Sequence, residues 1–168
     1  MKCSECNGKM EAKRGNYLFM IESGLPVTLS GVEVRTCKAC GSREAAVPAV
    51  DDLNRAIASV LARKRGRLTG AEFRYLRSFL GLSGRDVARL LGATPTTVSR
   101  WEQGVAPVGT QVDKLMRVLA AQHAGDLKYW LPEIEAAANA SAEALRFTLA
   151  RTGGTWSVVA NSGRKRAA

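Results

Sequence analysis

Residues 69–104 read TGAEFRYLRSFLGLSGRDVARLLGATPTTVSRWEQG, and this stretch decides the fold. Thr69-Gly70-Ala71-Glu72 has the spacing of a capping box, in which a hydroxyl and a carboxylate three residues apart each take a backbone N–H. Phe73, Leu76, Phe79 and Leu80 follow on one face of a helical period, and Gly81 ends the helix. Ser83-Gly84-Arg85-Asp86 repeats the box with aspartate as the acid; Val87, Leu90 and Leu91 supply its apolar stripe, and Gly92 closes it. Thr94-Pro95 opens a third helix with a capping hydroxyl and a proline at the first helical position. Val98 and Trp101 are predicted to face inward, and Gly104 terminates.

Two short helices joined by a tight glycine-containing turn form the geometry that sets the second helix into a major groove. The predicted outer side of that helix carries Thr96, Thr97, Ser99, Arg100 and Gln103, with Thr94 at its cap and Arg85 at the start of the preceding helix. These seven are the candidate DNA contacts, because short hydroxyls, an amide and guanidinium groups reach base edges and phosphates. Glu102 is expected to brace backbone or an arginine. A plain helical bundle also has capped helices, and helix-start threonines can serve only as caps. Against that stand the run Val98-Ser99-Arg100-Trp101-Glu102-Gln103-Gly104 and eight basic against four acidic residues over 67–125. Val112, Leu115, Met116 and Leu119 predict a fourth helix from near Thr110 that completes the core. An exposed share of its stripe would pair with a second copy, since such modules commonly read two half-sites as dimers.

Upstream, Leu53, Ile57, Val60 and Leu61 predict a connecting helix over about 50–65, with Asp51-Asp52 at its start and Arg63-Lys64-Arg65 as a solvated, dipole-compensating end. Before it lie all four cysteines, in two C-x-x-C pairs: Cys3/Cys6 and Cys37/Cys40. Such pairs let four thiolates converge on one metal ion at about 2.3 Å, and four thiolates leave no open position for a catalytic water. The expectation is structural zinc; disulfides and merely buried thiols are the alternatives. Thirty residues separate the inner cysteines, and Tyr17–Ile21, Val27–Leu29 and Val32–Arg35 read as three short strands between them.

The chain has 168 residues, 46% hydrophobic and 24% charged, with a formal net charge of +10. That excess favours polyanionic partners, nucleic acid first. No apolar run approaches the roughly 18 residues of a membrane span, so no membrane association is expected. The Met1-Lys2-Cys3 start has no apolar signal region, which makes a cytoplasmic location the default. No nucleophile–base set, Walker loop or open metal site points to an enzyme.

The helical stretch resembles the Xre/Cro type of helix-turn-helix, through Leu82-Ser83, Val87-Ala88, Leu91-Gly92 and the run Val98–Gly104. Coupled to the N-terminal cysteine pairs, the chain over about 1–122 resembles MqsA-type antitoxins with their YgiT-type zinc finger. The resemblance implies zinc on Cys3, Cys6, Cys37 and Cys40, and a dimer that represses its own operon from a palindromic operator. It also implies a toxin, an mRNA-cleaving protein, neutralised by the zinc module. Arg100 matches a base-reading arginine of that family; Thr96 and Gly84 stand where it has asparagine and glutamine. A free-standing regulator without a toxin is the alternative, and an interaction adaptor that never touches DNA is a third reading.

The expected architecture is α+β in two domains. A zinc-bound β module spans 1–48, a linker helix 49–66 and an all-α helix-turn-helix bundle 67–124. An extension with a basic tail, Arg164-Lys165-Arg166, spans 125–168. In the extension, Pro132 is predicted to head an alanine-rich helix running through Ile134, Leu145, Phe147 and Leu149; Gly153-Gly154 would break it, and 155–159 would form one strand.

Overall fold

The computed structural model describes residues 1–20, 24–125 and 145–161. It is mixed α+β: a sheet of β1 (Met10–Met20), β2 (Pro26–Cys37) and β3 (Arg43–Ala46), then helices α1 (Val50–Ala62), α2 (Gly70–Phe79), α3 (Gly84–Leu90), α4 (Pro95–Glu102) and α5 (Thr110–His123), then β4 (Phe147–Thr152) and β5 (Thr155–Asn161). The basic tail and residues 126–144 lie outside the described residues.

β2 is the central strand. It pairs antiparallel with β1 along one edge, and on the other edge antiparallel with β3 and parallel with β4. The segments predicted as separate strands at 27–29 and 32–35 are one strand. Ser30-Gly31 is a β-bulge: Gly15 faces Val32 and Tyr17 faces Leu29, so two residues of β2 oppose Asn16 alone. Gly31 takes φ +70°, open to glycine without strain. The extra residue reverses the alternation, so Val27 and Leu29 before it and Val32 and Val34 after it all enter one core.

The C-terminal segment departs from its predicted form. Phe147–Thr152 is strand rather than helix, because Phe147 and Leu149 alternate inward against polar neighbours. Gly153 and Gly154, both at positive φ, make a two-residue hairpin turn into β5. That hairpin joins the sheet of residues 10–46, so N- and C-terminal segments share one sheet. β5 is tied to the start of α1: the Trp156 N–H donates to Asp52 Oδ2 at 2.9 Å and its indole Nε1 to the Pro48 carbonyl at 3.2 Å.

A single apolar cluster runs from this sheet through Leu53, Ile57 and Leu61 of α1 to Phe73, Leu76, Val87 and Val98 of the helical region. The helix α1 ends at Ala62, short of its predicted end, and Arg63-Lys64-Arg65 is not simply a solvated run. Lys64 is buried and pairs with Glu72 at 2.6 Å, both side chains 1% exposed. Glu72 also accepts from the backbone N–H of Thr69 and of Leu145. In parallel, fully buried Arg117 and Asp113 pair at 2.6 Å. The Arg117 guanidinium donates to the carbonyls of Ala62, Lys64 and Gly66, while Asp113 accepts the Leu68 N–H at 2.6 Å.

These charges explain why α5 departs from its predicted stripe. Asp113, Met116, Arg117 and Ala120 form its buried side; Val112 and Leu119 are half-buried, and Leu115 is 40% exposed. Apolar periodicity does not register a core position filled by an ion pair. Leu90, also expected inside, is 52% exposed at the end of α3.

Removing one member of a buried pair leaves its partner charged and unsolvated, which costs about 3–5 kcal/mol. Asp113→Ala should lower stability by that amount in urea unfolding. Because the core is shared, amides of β2 and α2 should lose hydrogen-exchange protection at one midpoint; two midpoints would divide the molecule at 61–68.

Candidate metal centre and nucleic-acid interface

The four sulfurs converge at the end of the β1–β2 ribbon remote from its turn. Cys3 Sγ lies 3.7 Å from Cys40 Sγ and Cys6 Sγ lies 3.4 Å from Cys37 Sγ. All four lie within 4.8 Å of one another. A tetrahedron with metal–sulfur bonds of about 2.3 Å has sulfurs about 3.8 Å apart, so the cluster has room for one ion. It could bind a metal ion, and these thiols are the residues that would hold it.

Two tight turns build the cluster. Asn7 N donates to the Cys3 carbonyl and Cys3 N to the Gly8 carbonyl; in the second turn Gly41 N donates to the Cys37 carbonyl and Cys37 N to the Ser42 carbonyl. Gly8 fits closely: a Cβ there would stand 3.1 Å from Ala39 Cβ and Cys37 Sγ and 3.2 Å from Cys6 Sγ, so these neighbours would have to give by a few tenths of an ångström. Amides of Cys40 and Ala39 directed at the Cys37 sulfur hold its thiol down to about 6. The Gly8 amide pulls Cys6 the same way, yet the neighbouring Cys40 and Cys37 sulfurs push it up to about 12. Cys3 and Cys37 are buried with Met10 in a small core of their own, and Cys6 and Cys40 face solvent.

The second candidate surface is α4. Thr69 and Ser83 make complete capping boxes with Glu72 and Asp86, and Thr94 caps α4 by accepting the Thr97 N–H at 3.1 Å. Thr96, Ser99, Arg100 and Gln103 are exposed on α4, and Arg85 is exposed at the start of α3. The Thr94 hydroxyl, which caps the helix, also lies 2.8 Å from the Thr97 hydroxyl, so the two are hydrogen-bonded to each other. Gln103 donates its amide to the Ser99 hydroxyl at 3.2 Å. Thr96 and Arg100 are left as outward groups with no such partner on the helix.

Beneath this face α4 is clamped. Val98 is buried, and Trp101 meets Phe73 edge-on at 5.8 Å. Glu102 receives both Nε (2.5 Å) and a terminal nitrogen (3.4 Å) of Arg77, which also donates to the Leu82 carbonyl at 2.7 Å. One arginine of α2 thus fixes the α2–α3 turn and the end of α4. Glu102 braces an arginine, as expected; that the arginine is Arg77, 25 residues away, carries no spacing signal. Gly70 allows α2 to start against α4, since a Cβ there would fall 2.3 Å from the Trp101 carbonyl oxygen. His123 packs its ring edge on Phe79 at 5.1 Å.

Residues 69–127 match a helix-turn-helix domain family, about a third of the chain. No curated protein gives a significant match. The central region is therefore a helix-turn-helix domain, the module of DNA-binding regulators, attached to a sheet bearing a cysteine cluster. Among the described residues no helix is long and apolar enough to cross a membrane.

Gly8→Ala should weaken metal binding without removing a ligand. Titration with cobalt(II), followed by its thiolate charge-transfer absorption, should show the full four-sulfur spectrum for the wild type and a weaker, later-saturating one for the variant. Identical titrations would free Gly8 of that role.

Proposed function

We propose that the protein is a dimeric, sequence-specific DNA-binding repressor stabilised by structural zinc. The observation that carries this reading is the outward face of α4, with Thr96 and Arg100 presented on a helix whose roll Arg77 and Glu102 fix. A rigid helix holds its side chains in one register with base edges, which is what direct readout in the major groove requires. Arg85, at the start of α3, is placed to touch a phosphate, as are the positive ends of these short helices. Zinc on Cys3, Cys6, Cys37 and Cys40 fits the sulfur spacing; it closes the knuckles and supplies folding energy where the sheet end has only Cys3, Cys37 and Met10 as a core. The protein acts by binding rather than by catalysis.

The order of modules supports a role as an antitoxin, in which the sheet region holds an mRNA-cleaving toxin and the helix-turn-helix represses the operon encoding both. A free-standing regulator is favoured by a different observation: the β4–β5 hairpin occupies part of the β2 edge and extends the sheet beyond the region of resemblance. Co-purification separates the two, since an antitoxin retains a small basic partner that leaves when the sheet region is altered. The apolar residues Leu115 and Val118, exposed on α5, support pairing of two copies on a palindromic site.

Arg100→Ala should cost about 1–3 kcal/mol of specific operator affinity and relax base preference at one position per half-site. Arg85→Ala should weaken binding to all sequences and flatten the slope of log affinity against log salt by about one per site. Both are read by fluorescence anisotropy at several salt concentrations; affinity insensitive to salt would favour the adaptor reading.

A further inference from the structure

The first cysteine knuckle turns on the dipeptide Asn7-Gly8. Asn7 stands in the left-handed region at φ +57°, a conformation that asparagine takes at less cost than most side chains. Its side chain is exposed and, among the described residues, has no hydrogen-bond partner. An asparagine followed by glycine is open to attack by its own backbone. The glycine nitrogen, unhindered by a side chain, gives its proton to solvent base and attacks the asparagine Cγ. The C–N bond of the side-chain amide breaks and ammonia leaves. Water then opens the resulting succinimide to aspartate or isoaspartate, and nothing is oxidised or reduced.

The knuckle opposes this reaction at its first step. The Gly8 N–H is directed at Cys6 Sγ, so the proton that must leave is held. The Gly8 carbonyl accepts the Cys3 N–H at 2.9 Å, and the Asn7 N–H donates to the Cys3 carbonyl at 3.0 Å, so the Asn7–Gly8 peptide is fastened on both sides. All three bonds run to Cys3 or Cys6, two of the four residues that would hold a metal. An ion that fixes those two sulfurs also fixes the nitrogen. Without it the turn rests on a core of Cys3, Cys37 and Met10 alone, and it opens more often.

We propose that Asn7 is a modification site gated by the metal. It deamidates when the cluster is empty and is protected while an ion holds the knuckle, so metal loss leaves a lasting carboxylate at residue 7. The gate works only if the cluster is the metal centre that its sulfur spacing fits.

The full reduced chain, loaded with zinc or stripped by a chelator, is held at mildly alkaline pH and sampled over days. Trypsin releases residues 3–9, whose change in mass and isoaspartate content report Asn7, and residues 152–164, in which Asn161 before Ser162 is an internal reference. Asn7 should convert at least about tenfold faster in the stripped chain, with Asn161 converting at one rate in both. In the stripped chain, Gly8→Ala should slow the conversion at Asn7, because its methyl group shields the nitrogen. Atomic absorption reports the zinc. Equal rates at Asn7 in zinc-holding and zinc-free chains would overturn the gate and leave the metal centre standing, whereas a chain that holds no zinc overturns both. An equal rise at Asn161 would mark general loosening, and an unchanged rate in Gly8→Ala would remove Gly8 as the attacking group; either result overturns the assignment.

Discussion

Two buried ion pairs, Lys64–Glu72 and Asp113–Arg117, hold the segment between the sheet side and the helix-turn-helix. Charges inside a protein are tolerated only where hydrogen bonds replace the water they lose. Here the replacement comes from the segment itself: Arg117 is solvated by the carbonyls that end α1 and follow it, Asp113 by the Leu68 N–H, and Glu72 by the N–H groups of Thr69 and Leu145. The chain cannot swing about 61–68 without stripping partners from four buried charges. What reads as a linker is therefore a joint with a fixed angle, and the returning C-terminal segment is fastened to the same joint through Glu72.

That joint makes the apolar core continuous. The bulge at Ser30-Gly31 brings both halves of β2 into the one core that Leu53, Ile57 and Leu61 of α1 also enter, and α1 packs on β5, α5 and α2. The cysteine cluster lies outside this continuity, at the ribbon end, where its buried members form a separate small core. Its geometry depends on turn backbone and on Gly8 rather than on the rest of the molecule. A bound ion there would order the knuckles locally, whereas the orientation of α4 depends on the larger core and on Arg77.

The α4 face proposed to meet nucleic acid shows the same division between supporting and free side chains. Capping hydroxyls, the Arg77–Glu102 clamp and the close approach at Gly70 consume the polar groups that set the helices in place. What they leave uncommitted is short: Thr96, Arg100 and, one helix earlier, Arg85. Few free side chains on a helix of fixed roll are what the proposed reading of a duplex would require, because each would meet base edges in one register.

The sequence alone determined every feature built from neighbours along the chain. The capping boxes at Thr69 and Ser83, Thr94-Pro95 at the start of α4, the glycines after the helices and the two cysteine knuckles are local chemistry, and their spacing states them. Tertiary structure decided what depends on partners far apart in sequence. A strand run and a helix run of few apolar residues look alike, so Phe147–Thr152 became strand only because the edge of β2 was open to it. A bulge looks like a break until the partner strand shows two residues facing one. Lys64, Asp113 and Arg117 look like surface charges, since hydrophobic periodicity counts them as solvent-facing; only the carbonyls and carboxylates brought to them by the fold allow them to be buried.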